Sequence, residues 1–315
     1  MITTRGWAGG SRRWGSSVLA RPPQSVLGPI AAICYLAVRM LPLRYASEFM
    51  ALVTGNFSGF FIKERAIKRN LYQAFPGIDK AELDALTRRA TANFGRLVAE
   101  LVHISSFHRD GNGTALRAIG SLEYPFETRG PAVYVSAHLG NWELMPILFK
   151  REGMPLHIIH TQLDEPMIDR ELMALRRKTG ANYVEKDNAL RACIAALKEG
   201  EPIALLVDQR VESGLDVEFF SRPTTFTRFP ARMALRFGCP IIVAESVRLR
   251  PGNVEVVFHP PIWPDGDDDE ETERALTQAM AAIIEACIRR NPAQWFCTKV
   301  RWKKGLKKTA AATAA

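Results

Sequence analysis

Residues 133–149 read VYVSAHLGNWELMPILF. An uncharged, β-rich run (Val133–Ala137) meets a short polar seam and then a second apolar run of helical composition. That pattern predicts a strand, a turn and a helix, the repeating unit of α/β layer folds. His138 falls just past the predicted strand, Gly140 suits a turn of unusual backbone conformation, and Asn141 is a helix-capping residue type. Capping by Asn141 would put Glu143 in the first helical turn, where the positive end of the helix dipole favours a carboxylate.

The same alternation continues downstream. LHIIHT is followed by DEPMIDRELMALRRKTG, and PIALLVD follows the helix DNALRACIAALKEG, expected to start at Asp187 and end at Gly200. FPARMALRFG leads into CPIIVAESVRL, PGN turns the chain into VEVVFHPPI as an antiparallel hairpin, and a long helix runs from about Glu270 to Arg290. Continuous apolar strands between helices predict an α/β fold with a mostly parallel sheet flanked by helices. Ligands of such sheets bind beyond the carboxyl ends of the strands, which is where His138 stands.

Upstream the character differs. Residues 1–24 read as a disordered basic leader, and 25–110 as a helical region. The run from Ser25 to Val38 carries no charge, yet is short for a spanning helix, which needs roughly 20 apolar residues. It fits a membrane-attached or shallowly inserted helix, a buried core helix or a signal peptide. Asp79 is the expected N-cap of a long helix after Pro76-Gly77. The α/β core is expected over 111–304 and a flexible basic tail over 305–315.

The formal charge of +9 favours an anionic partner: nucleic acid, a membrane surface or an acidic protein. The aromatic-studded basic platform of a single-strand binder is not evident, so no nucleic-acid partner is expected. Five scattered cysteines, none in C-x-x-C spacing and none beside a histidine cluster, give no zinc or iron–sulfur signature and suit a reducing compartment.

His138 and Glu143 lie five positions apart across the turn. The expectation is that the carboxylate folds back to hold one imidazole nitrogen, leaving the other as a general base, an arrangement that contributes roughly 100- to 10,000-fold to rate. His103 and His108 fall on a helical stretch, His157 and His160 in or beside a strand, and His259 in the hairpin; packing or exposure accounts for each. G-x-S-x-G, H-E-x-x-H, P-loop and G-x-G-x-x-G motifs are all missing. With no enzyme nucleophile, the attacking hydroxyl must belong to a substrate.

SAHLGNWE resembles the H-x-x-x-x-[DE] motif of the bacterial lipid A late acyltransferases, whose wider family includes the phosphatidylinositol mannoside acyltransferases. RNLYQAFP, ELMALRRKTGANYV, LLVDQR with VEFFSRPTTFTRFPARMALRFGCPII, and NPAQWFCTKVRWK resemble further family segments in the family's order, over residues 25–304. Cys297 stands where an aromatic residue is common, and Ser221 where glycine is. The resemblance implies a glycerol-phosphate-acyltransferase-like fold with membrane-proximal helices, on the cytoplasmic face of an inner membrane. It implies transfer of a fatty acyl chain from acyl carrier protein or acyl-CoA to a hydroxyl of a lipid A precursor, or of a mannosylated phosphatidylinositol or lysolipid. The thioester is a co-substrate, and no cofactor is implied. By the same resemblance, His138 would be the base, Glu143 its orienting partner, Arg177 the group near the thioester carbonyl, and Asp208 a second carboxylate with Glu212 in reserve. Trp142 and Trp295 are expected to be packing aromatics. Arg228, Arg232 and Arg236, four apart, would share a helix face. A non-catalytic basic binding protein is the rival class, and it would transfer nothing. Acyl chain length and oligomeric state stay open.

Overall fold

β2 (Val133–Ser136) is buried along its whole length, as a strand must be when helical layers cover both faces. Its side chains divide between two cores. Val133 and Val135 join Ile203, Ile241 and Val243 on one face, while Tyr134 joins Ala204, Ile242 and Ala244 on the other. This is the two-residue period of a strand with both sides dry.

The computed structural model describes residues 35–61, 63–111, 113–163 and 165–302. The expected leader, the tail and most of the apolar run from residue 25 lie outside the described residues. Helices come first: residues 35–40, α1 (Leu43–Phe61), α2 (Glu64–Ala74) and α3 (Lys80–Val102). Asp79 caps α3 as expected, accepting from the Glu82 backbone N–H at 2.8 Å. Among the described residues no helix is long and apolar enough to cross a membrane. Side chains of α2 and α3, including Ile67, Leu71 and Leu97, enter the same cores as the strands, so these helices are packed into the sheet layers. Gly95 lets α3 approach the Met50 carbonyl of α1, which a Cβ would strike.

The sheet runs β1-β9-β8-β2-β5-β3-β4. Its strands are β1 (Ala115–Gly120), β2, β3 (His157–His160), β4 (Asn182–Glu185), β5 (Ile203–Leu206), β8 (Ile241–Arg250) and β9 (Asn253–Phe258). Within this seven-stranded sheet the β8–β9 pairing is antiparallel and the other strand pairings are parallel, so the sheet is mostly parallel as expected. β6 (Leu215–Glu218) and β7 (Pro223–Phe226) form a separate hairpin. The flanking helices are α4 (Met145–Arg151), α5 (Pro166–Arg177), α6 (Ala189–Lys198), α7 (Phe229–Phe237) and α8 (Glu270–Arg290).

Two local expectations are corrected. Asp187 does not start α6: it sits in a 3-10 turn over Lys186–Asn188, and the helix begins at Ala189 without a side-chain cap. Asn141 does not open α4, which begins at Met145 with Pro146 in its first turn. Its side-chain oxygen instead accepts from the Glu143 N–H at 3.2 Å, stabilising a turn in which Glu143 precedes the helix. Ser221, where glycine is common in the family it resembles, has a left-handed φ of 53°, a backbone region that glycine occupies more easily.

Candidate active site

β2 and β5 are parallel neighbours, paired from Val133↔Ile203 to Ser136↔Leu206. The ladder continues past both strands through the Val207 N–H, which donates to the Ser136 carbonyl at 3.0 Å. Each partner in this register lies 70 positions on, and so does Asp208 from His138. Parallel pairing therefore delivers the two side chains to one point at the carboxyl edge of the sheet. His138 Nδ1 stands 2.7 Å from Asp208 Oδ1.

Asp208 is fully buried, and its second oxygen accepts from Trp295 Nε1 at 2.9 Å. Burial by itself would raise the carboxyl pKa. The positive charge and hydrogen bond of His138, with the Trp295 hydrogen bond, outweigh it and hold the group below the ordinary value. When the imidazole is neutral, an ionised Asp208 takes the Nδ1 proton as its hydrogen bond, and the lone pair is then on Nε2. The His138 side chain is 19% exposed. Gln209 Nε2 lies 3.4 Å from His138 Nε2.

Trp295 is placed by backbone pairing. The segment after α8 lies against the His138 loop: Phe296 N–H donates to the His138 carbonyl at 2.8 Å and Gly140 N–H to the Gln294 carbonyl at 3.1 Å. Asn70 on α2 clasps the next residues, donating to the carbonyls of Cys297 at 2.9 Å and Lys299 at 2.8 Å. Two quoted segments far apart in the chain, RNLYQAFP and NPAQWFCTKVRWK, thus meet under the site. Cys297 is buried beside Asp208, and burial pushes its thiol well up, so it is no thiolate nucleophile.

Glu143 is not the partner of His138. Its carboxylate is buried and takes a two-point ion pair from Arg176, Nη2 to Oε1 at 2.6 Å and Nε to Oε2 at 3.0 Å. Burial opposes the Arg176 charge, but the Glu143 charge and hydrogen bonds outweigh it and raise the arginine's pKa. Trp142 links the two groups: its ring meets the His138 ring edge-on at 4.9 Å and its Nε1 donates to Glu143 Oε1 at 3.1 Å. The expected fold-back fails because the turn set by Asn141 and Gly140 points Glu143 toward α5.

Arg177 is exposed on the outer side of α5, and the arginine turned inward is its neighbour Arg176. Helical phase carries the signal: Arg176 follows the partly buried Leu172 by four positions, on the side of the buried Leu175 and Thr179. Glu212 is 73% exposed and pairs with Arg210 at 2.6 Å. Arg228 and Arg232 are both taken up by Glu273, at 2.7 and 2.8 Å through their Nε atoms.

A buried polar network backs the loop. Glu100 of α3 holds Arg248 through two bonds, at 2.7 and 2.6 Å, and accepts from Asn141 Nδ2 at 2.7 Å. Arg248 also reaches Asn93, and Gln294 bridges to the Arg248 backbone. Gly140 has a φ of 61°, and a Cβ there would strike the Ser246 carbonyl. Gly140→Ala is therefore expected to cost about 1–3 kcal/mol of stability, read by chemical denaturation, with a fall in activity as the loop shifts.

A profile of the family described as bacterial lipid A biosynthesis acyltransferase matches residues 17–304. The chain belongs to this family. Among curated proteins, the acyltransferase is similar to the phosphatidylinositol mannoside acyltransferase of Mycolicibacterium smegmatis, at 23% identity over 244 residues, covering 75% of this chain and 78% of that one. It is also similar to that of Mycobacterium tuberculosis (strain ATCC 25618 / H37Rv), at 23% over 281 residues, 85% and 86% of the two chains. The chain is an enzyme of the acyltransferase class. The rival reading as a non-catalytic binder falls with that finding.

Proposed function

We propose that this acyltransferase moves a fatty acyl chain from a thioester, on acyl carrier protein or coenzyme A, to a hydroxyl of a lipid A-type glycolipid, with His138 as general base. The observation that carries the reading is the His138–Asp208 contact of 2.7 Å at the carboxyl edge of the sheet, which engages Nδ1 and not Nε2. In the proposed step the acceptor hydroxyl gives its proton to Nε2 as its oxygen attacks the thioester carbonyl. The tetrahedral intermediate then expels the thiolate, breaking the C–S bond, and the imidazolium returns the proton to sulfur. Asp208 orients the ring and stabilises its charged form. The Arg176–Glu143 pair holds Trp142 against the ring, and Arg177 is given no role. Glu143 is thus a positioning residue.

The acceptor is the open choice within the family. The curated relatives' names favour a mannosylated phosphatidylinositol as the second reading. Mass spectrometry of glycolipids from cells with and without the gene separates the two, because the missing acyl chain identifies the acceptor. No change in any glycolipid, together with no transfer from labelled acyl carrier protein or acyl-CoA to total lipid, would reject both.

For location, the proposed seat is the cytoplasmic face of the inner membrane. Tyr45, Phe49 and Leu52 are exposed on one face of α1, with Leu36, Met40 and Leu41 just before it and Arg39 and Arg44 beside them. An apolar helix face with flanking cations suits anionic lipid. Each buried side chain is worth about 1.5–3 kcal/mol, so Phe49→Glu with Leu52→Glu is expected to weaken sedimentation with anionic vesicles roughly a hundredfold. Unchanged sedimentation would move the contact elsewhere.

A further inference from the structure

We propose that Glu245, His259 and Cys287 form a binding site for a divalent transition-metal ion of the zinc type, separate from the acyl-transfer centre. Glu245 is buried on β8, His259 follows β9, and Cys287 is buried in the last turns of α8. The antiparallel β8–β9 register and the bond from His259 N–H to the Val243 carbonyl at 2.9 Å bring the histidine beside the glutamate, and α8 lays Cys287 over both.

The spacing is that of a coordination shell. Cys287 Sγ is 3.3 Å from His259 Nε2, which is 3.5 Å from Glu245 Oε2, and all three donor atoms lie within 4.8 Å of one another. A tetrahedral ion with bonds of about 2.3 Å to sulfur and about 2.0–2.2 Å to nitrogen and oxygen separates its ligands by roughly 3.3–3.7 Å. Two edges already match, and rotation of the carboxylate closes the third.

A positive group now sits at this place. Arg290 Nη2 touches two of the three ligand atoms, Glu245 Oε2 at 2.6 Å and Cys287 Sγ at 3.3 Å. Its side chain is 52% exposed, so it can swing into water when an ion arrives. Asn291 Nδ2 donates to the other Glu245 oxygen at 3.2 Å and would keep the carboxylate aimed, as outer-shell partners of metal ligands do. One carboxylate, one thiolate and a doubly charged ion sum to zero, which a buried site tolerates. Mixed sulfur, nitrogen and oxygen donors suit zinc and its neighbours rather than calcium or magnesium. Binding releases the Cys287 thiol proton to solvent and displaces Arg290, with no change of oxidation state. The ion would staple α8 to the sheet just before the segment that carries Trp295 to Asp208.

The test uses the purified full-length protein, stripped of metal and titrated with Co²⁺ as a spectroscopic probe. One ion per chain is expected, with a thiolate-to-cobalt charge-transfer band in the near ultraviolet and tetrahedral d–d bands, all displaced by Zn²⁺. Cys287→Ser should remove the charge-transfer band and His259→Ala should weaken binding at least tenfold. Arg290→Met, which removes the competing cation and leaves the ligands, should tighten binding at least threefold. Absence of the band in both the wild type and Arg290→Met overturns the proposal, as does a band that survives Cys287→Ser. The Arg290→Met comparison decides the matter even if the cysteine variant fails to fold.

Discussion

His138→Ala is expected to lower kcat for acyl transfer by about 100- to 10,000-fold while leaving the fold and thioester binding nearly unchanged. The reason is geometric. The imidazole stands at the sheet edge, partly exposed, with Nδ1 tied down by a buried carboxylate and Nε2 beside Gln209. Asp208→Asn keeps the shape of its partner and removes the charge that holds Nδ1 protonated, so a large loss is expected there too. The double variant should cost no more than His138→Ala alone, because groups that act as one unit are not additive. Steady-state turnover of a labelled acyl donor by the four proteins checks this. Near-normal turnover by His138→Ala removes the base from the mechanism, and additive losses separate Asp208 from it.

Arg248→Met should destabilise the protein by about 3–5 kcal/mol, because it leaves the Glu100 carboxylate buried without its cation. Both side chains are almost wholly inaccessible, 4% and 0%, so water cannot replace the missing donor. Urea denaturation should show a lower midpoint with an unchanged slope. Arg248→Met combined with Glu100→Gln should recover much of the loss, since an uncharged amide tolerates burial better. The network also reaches function: Asn141 is bonded to Glu100, and the turn from His138 to Glu143 hangs on Asn141. A loss below about 1 kcal/mol would mean the pair is not desolvated in solution.

Much of the architecture was legible in the chain. The apolar runs around Val133, Ile203 and Ile241, spaced by helical stretches, carry the period of strands buried on both faces, and these three do lie side by side. Asp79 was readable as a cap because its side chain acts within three residues. Asp187 does not act as the expected cap because its neighbours form a tight 3-10 turn instead of a capped helix start. The β6–β7 hairpin is not legible in the same way, since its strands, LDVE and PTTF, are not continuous apolar runs.

The sequence marks His138 and Asp208 as candidates and does not give the pairings of the candidate site. His138 stood out by its place after a strand, and Asp208 by the same rule. That they touch depends on β2 and β5 being neighbours in register, a fact of sheet order across 70 residues. Glu143 looked like the partner because it was near in sequence, yet the turn at Gly140 and Asn141 sends it to Arg176. The resemblance points to Arg177 by its spacing from Gly180, and the helix face turns Arg176 inward instead.

The sequence by itself determined the layered α/β class, the family and the strand-end place of His138, because hydrophobic period and strand-end position are local properties. Only the tertiary structure decided which carboxylate serves that histidine, which arginine faces inward, and that Glu245, His259 and Cys287 meet at all. Those are contacts between side chains remote along the chain, and the order of strands in the sheet creates them.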